Sequence, residues 1–103
     1  MWAQLIKIRL QPGKADRIPY FFEQLRAAEQ PDSGLIRETA MLDQADPDSM
    51  VVLVVFESEE KARAREQDPR RQAGQEAIRA AMADMIEGQP EFLDLTVVEE
   101  MSL

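Results

Sequence analysis

The chain has no cysteine and no histidine. Without cysteine there are no disulfides, no thiolate metal sites and no cysteine nucleophile. Without histidine it lacks the commonest general base, metal ligand and axial haem ligand. Asparagine is absent as well. Chemistry is left to carboxylates, Lys and Arg, Tyr, Trp, Ser, Thr and Gln, and no metal or other cofactor is expected. Basic residues are scarce: 12 Lys and Arg face 20 Asp and Glu, for a formal net charge of −8 at pH 7. Such a surface repels a phosphate backbone and an anionic bilayer, so neither nucleic acid nor membrane is an expected partner. The acid excess reads equally well as a solubility device. No apolar run approaches the ~20 residues of a membrane span. Met1-Trp2-Ala3-Gln4 leads straight into an alternating pattern rather than a signal peptide, so a cytoplasmic location is the default expectation.

What is present is organised around one stretch. Met50 to Phe56 is seven consecutive apolar residues, four of them Val. The length and β-branching suit a strand that is apolar on both faces, and such a strand needs cover on both. A chain of 103 residues reads as one domain, residues 1–103, with enough sequence for one layer of helices. The second cover is then expected from another copy of the same chain.

The remaining elements follow from periodicity. Trp2 to Leu10 alternates, with Trp2, Gln4, Ile6, Ile8 and Leu10 on one face and Ala3, Leu5, Lys7 and Arg9 on the other. After the Pro12-Gly13 loop, Ile18, Phe21, Phe22, Leu25 and Ala28 form a helical stripe, with Asp16 as the expected N-cap. Leu35 to Gln44 reads as a second strand, with Ile36, Glu38, Ala40 and Leu42 on one face. A hairpin loop over residues 45–49 joins it to the central strand. The aspartates around that loop (Asp43, Asp46, Asp48) lack the spacing and glycine of a calcium loop. Ser58 is placed to cap a helix over Glu59–Gln67 that carries almost no apolar stripe. Asp68-Pro69 opens the main helix, which carries Ile78, Ala81, Met82, Met85 and Ile86 and is expected to end at Gly88. Glu91 to Glu99 is the last strand, followed by a short tail.

The order strand-helix-strand-strand-helix-strand predicts an α+β, ferredoxin-like βαββαβ fold. The sheet is expected to be antiparallel with the order 4-1-3-2 and helices on one face. Right-handed crossovers suggest a parallel pair of strands one and three at its centre. The helix-free face should then carry Lys7, Arg9, Asp94 and Thr96 beside Leu5, with Lys7 or Arg9 pairing Asp94 across the strands.

The motifs Pro12-Gly13-Lys14-Ala15, Gly34 before the second strand, and Phe56-Glu57-Ser58-Glu59-Glu60-Lys61-Ala62 resemble those of antibiotic biosynthesis monooxygenase-like (ABM) domains, within the dimeric α+β barrel superfamily. The resemblance covers nearly the whole chain. It implies a homodimer whose sheets pack into a barrel, with pockets between helices and sheet. It also implies a small aromatic ligand, and, if the protein is an enzyme, a cofactor-independent monooxygenase. Members often carry Trp where Phe56 stands and His near Arg65. The haem-degrading branch relies on His and Asn, and this chain has neither.

Four side chains are pocket candidates: Trp2, Tyr20, Phe56 and Arg65. Trp2 suits an aromatic pocket or an interface. Tyr20, about 70° off the helical stripe, suits a proton donor beside a pocket or a wet boundary position. Arg63 and Arg65 suit anion binding or a solvated face with i,i+4 partners. Two functions stay open: binding and oxidising a small aromatic molecule, or non-catalytic binding or assembly. A pocket of a few hundred cubic ångströms reached by Tyr20 or Arg65 favours the first. An interior filled by Phe21, Phe22, Ile78 and Met82 favours the second.

Overall fold

The computed structural model describes all 103 residues. Alternation builds β1, Trp2–Leu10. A 3-10 turn over Ala15–Arg17 leads into α1, Ile18–Ala28. The N-cap is Arg17 rather than Asp16, and it makes no side-chain capping bond. Pro19 falls in the first turn, where its missing N–H removes no intrahelical bond. β2, Leu35–Asp43, and β3, Asp46–Phe56, form the hairpin, so the central strand begins earlier than its apolar run.

Ser58 caps α2, Glu59–Glu66, by accepting a bond from the Lys61 N–H at 3.1 Å. Asp68 likewise accepts from the Arg70 N–H at 2.9 Å and starts α3, Pro69–Gln72. The expected single main helix is interrupted here. α4, Gln75–Met85, begins anew after Gly74. A Cβ on Gly74 would sit 2.9 Å from the Cβ of Ala28, so only glycine lets the two helices approach this closely. The helix also ends earlier than expected, and the chain enters β4, Ile86–Thr96, directly. Gly88, at φ +74°, does not cap the helix. It lies within β4 where the register with β1 shifts, as a bulge requires.

The sheet order is β2-β3-β1-β4 and every neighbouring pair is antiparallel. This is the ferredoxin-like α+β arrangement. The central pair β1 and β3 is therefore antiparallel, not parallel. Each helical crossover joins two strands that run the same way, and an oppositely directed strand fills the gap between them. The helices cover one face. There Trp2, Ile8, Leu10, Met50, Val52, Val54 and Phe56 meet Phe21, Ala28, Ala62, Ile78, Ala81 and Met85 in one buried cluster.

The helix-free face departs from expectation. Asp94 lies opposite Gln4, and Thr96 opposite Trp2, so both belong to the helix side. Lys7 is opposite Glu91, and Arg9 pairs with Asp46 instead of Asp94. The face thereby becomes more apolar. Leu5 lies between Leu53 and Leu93, and Ala3 between Val55 and Leu95. The tail turns back over one end of it. Val97 N–H bonds Met1 O at 3.4 Å, and Glu100 pairs with Arg37 on the far edge strand at 3.1 Å. Ala3 and Val55, in the same row as Arg37, are buried on a side without helices, whereas Leu93 stays half exposed.

Candidate binding pocket

α2 has almost no apolar surface, and only its Ala62 is buried. It therefore roofs the Trp2 end of the sheet without filling the space beneath. A cavity of about 250 Å³ remains between sheet and helices. Ile6, Val52 and Val54 form its floor, while Phe21, Leu25, Ile78 and Met82 project from the helices. These helix residues line a hollow rather than close it. Trp2 and Phe56 stand side by side in its wall, ring centroids 5.8 Å apart and tilted by 41°. The polar lining is Gln4, Glu38, Arg65, Glu66 and Arg71.

Arg65 is fixed by its surroundings. Its Nε donates to both Glu29 carboxylate oxygens at 3.1 Å, and its Nη2 donates to Oε1 at 2.7 Å. The guanidinium also lies 5.4 Å from the Phe56 ring centroid. The fork geometry and the aromatic platform together suit Arg and not Lys. Burial alone would raise the Glu29 carboxyl. The hydrogen bonds and charge of Arg65, with help from Ser33 and the Gln30 N–H, outweigh it and hold Glu29 below the usual carboxylate range. Arg63 takes another role. It lies 5.0 Å from the Trp2 ring centroid and bonds Asp94 at 3.1 Å, while Gln4 Nε2 donates to Asp94 at 2.9 Å. This group closes the outer side of Trp2.

Of the four sequence candidates, Trp2, Phe56 and Arg65 line the cavity. Tyr20 does not join them. It is 51% exposed, because α1 turns Phe21 into the core and carries the preceding residue outward. Glu38 and Arg71 line the cavity without having been singled out in the sequence. Glu38 had a signal: it is the one acid among Ile36, Ala40 and Leu42 on its strand face. Arg71 had none, since its direction depends on the break between α3 and α4. No three acidic side chains converge as metal ligands, and no helix is long and apolar enough to cross a membrane.

Glu38 accepts no hydrogen bond. Burial pushes its carboxyl above the usual range, against the nearby charges of Arg65 and Arg71 and with the repulsion of Glu29. The ionised form thus costs folding free energy, which the protein regains only as pH falls through the raised folded value. Glu38→Gln, neutral at every pH, is expected to raise the melting temperature near pH 7. The gain should vanish below the ordinary carboxylate range, where Glu38 is itself neutral. Thermal melts of both chains from pH 3 to 8 check this. An equal difference at both ends would contradict it.

A model of the antibiotic biosynthesis monooxygenase family, ABM, matches residues 1–77. The chain belongs to the ABM family. The match stops within α4, but the fold likeness continues through β4. SnoaB, a cofactor-independent oxygenase from Streptomyces nogalater, superposes with a TM-score of 0.70 at 18% identity, over 97% of this chain and 95% of SnoaB. An ABM-assigned protein of Bordetella bronchiseptica gives a TM-score of 0.75 at 15% identity, over 95% of this chain and 97% of the other. One from Caulobacter crescentus gives 0.71 at 22% identity, over 95% and 90%. At these identities the likeness to solved structures establishes the fold. No curated protein matches the chain significantly in sequence.

Proposed function

We propose that this ABM-family chain forms a cytoplasmic homodimer that binds a small aromatic or quinone-like molecule and oxidises it without metal or flavin. The observation that carries the reading is the cavity itself: an apolar hollow walled by Trp2 and Phe56, with the braced Arg65 at its polar side. Flat rings stack on such walls, and a few fixed polar groups orient the ligand's oxygen atoms. Family membership supports oxygenation, since SnoaB is a cofactor-independent oxygenase of the same fold. Dimerisation is supported by the row of Leu5, Leu53 and Leu93 on the helix-free face.

A second reading, ligand binding without catalysis, draws on Tyr20. With that phenol turned outward, no phenolic hydroxyl reaches the cavity. A thermal-shift panel of naphthoquinones, anthrones, flavones and fatty acids, followed by oxygen-uptake measurements on the compounds that bind, separates the two. At 100 times its Kd a ligand stabilises by about 2.7 kcal/mol. For a domain of this size that is a shift of about 10 °C or more. The aromatic compounds are expected to give it and the fatty acids not. Stabilisation without oxygen uptake would leave the binding role alone, and no shift with any aromatic compound would remove both.

A further inference from the structure

We propose that Glu38 is the proton acceptor of the cavity, taking the hydroxyl proton of a bound phenol or enol whose ring rests against Trp2 and Phe56. This rests on the reading of the cavity as an aromatic-binding site and adds to it the ionisation of the ligand. In the step the ligand O–H bond breaks, a new O–H bond forms on a Glu38 carboxylate oxygen, and the electron pair stays on the ligand oxygen. No oxidant or other reactant is needed.

Position is the first argument. Glu38 sits on the helix side of β2, opposite Val54 in the sheet, and borders the cavity. It also borders a second hollow of about 180 Å³, with Arg26 and Glu29 in its wall. Leu25 and Glu38 are the side chains common to both spaces, so Glu38 stands in the partition between them.

Availability is the second argument. The acids and bases around Glu38 are Arg26 on α1, Glu29 at its end, Arg65 and Glu66 on α2, and Arg71 on α3. Glu29 and Arg65 satisfy each other. Arg71 neither donates to a carboxylate nor forms an ion pair, although it feels the charges of Glu29, Glu38 and Glu66. Glu38 likewise has no bonded partner. A free carboxylate and a free guanidinium therefore border one apolar space, close enough for their charges to interact. The first suits the proton and the second the resulting oxyanion. Burial disfavours the charged carboxylate, which makes it a stronger base than a solvated one.

The test uses 3-nitrophenol at pH 7, where the free probe is mainly neutral and its phenolate absorbs in the visible. Its methyl ether, 3-nitroanisole, is the control. Trp2 is the single tryptophan, so quenching of its fluorescence reports occupancy whatever the ionisation state. Calorimetry in two buffers of different protonation enthalpy counts protons released. The expected result is saturable quenching by both probes and a phenolate band on binding 3-nitrophenol, with no proton released to buffer. In Glu38→Gln, either the band disappears or one proton is released per probe bound, because the carboxylate that kept it is gone. Quenching without a phenolate band, or equal proton release from both chains, overturns the role of Glu38 and leaves the pocket standing. Absence of quenching by either probe overturns the pocket and this inference with it.

Discussion

A Leu53→Arg chain is expected to run as a monomer of 11.7 kDa in light scattering at micromolar concentration, and the parent chain, as the proposed homodimer, at twice that mass. Leu53 sits in the middle of the helix-free face, opposite Leu5 on one side and Thr39 on the other. Leu5 in turn faces Leu93. Fully covering an exposed Leu is worth about 1.5–3 kcal/mol; these residues, already part-covered in the single chain, gain a fraction of that each, and a symmetric interface counts every one twice. An arginine at the centre of that contact would be desolvated without a partner, which costs several kcal/mol more on each side. The fold of the single chain should survive, because Leu53 points away from the core. Circular dichroism checks this alongside the mass. A variant that still runs at the dimer mass would show that the leucine row is not the contact surface. A parent chain already at the monomer mass would show that no dimer forms.

Phe56→Ala is expected to lower stability by about 3 kcal/mol, the low end for deleting a buried Phe because the ring already borders a hollow. The residue is only 4% exposed. It packs on Trp2, carries the Arg65 guanidinium on its face and lies opposite Leu35 in the sheet. For a domain of this size the melting temperature should fall by about 12 °C or more. The same change removes half of the aromatic wall, so quinone-induced thermal shifts should shrink with it. Urea unfolding gives the stability directly. A loss below about 1 kcal/mol would mean that the neighbours collapse into the space.

The parts of the fold that were legible in the sequence are those written in local pattern. The alternation of Trp2 to Leu10, the stripe Ile18-Phe21-Phe22-Leu25-Ala28 and the Ser58 cap need no distant partner to be read. The cavity wall was legible where a residue's environment followed from its own strand. Trp2 and Phe56 end neighbouring strands on the same face, and both line the cavity. Tyr20 lies outside the cavity for the opposite reason. A residue near the edge of a helical stripe goes in or out according to the rotation of the helix, and that is set by what packs on it. Glu38 was visible only as an acid on an apolar face, a pattern that a solvated edge strand shares.

The alternating and helical periods, together with the order of elements, determined a four-stranded ferredoxin-like sheet with one helical layer, because these depend on interactions between residues close in the chain. Tertiary structure alone decided which face the last strand presents. Its pairing with β1 puts Asp94 opposite Gln4 on the helix side and leaves Leu93 and Leu95 on the other, opposite Leu5 and Ala3. It alone also decided that a helix poor in apolar residues would roof a hollow, with Glu38 and Arg71 left unpaired at its edge. Register and cavity are sums over contacts between distant segments, and no single segment carries them.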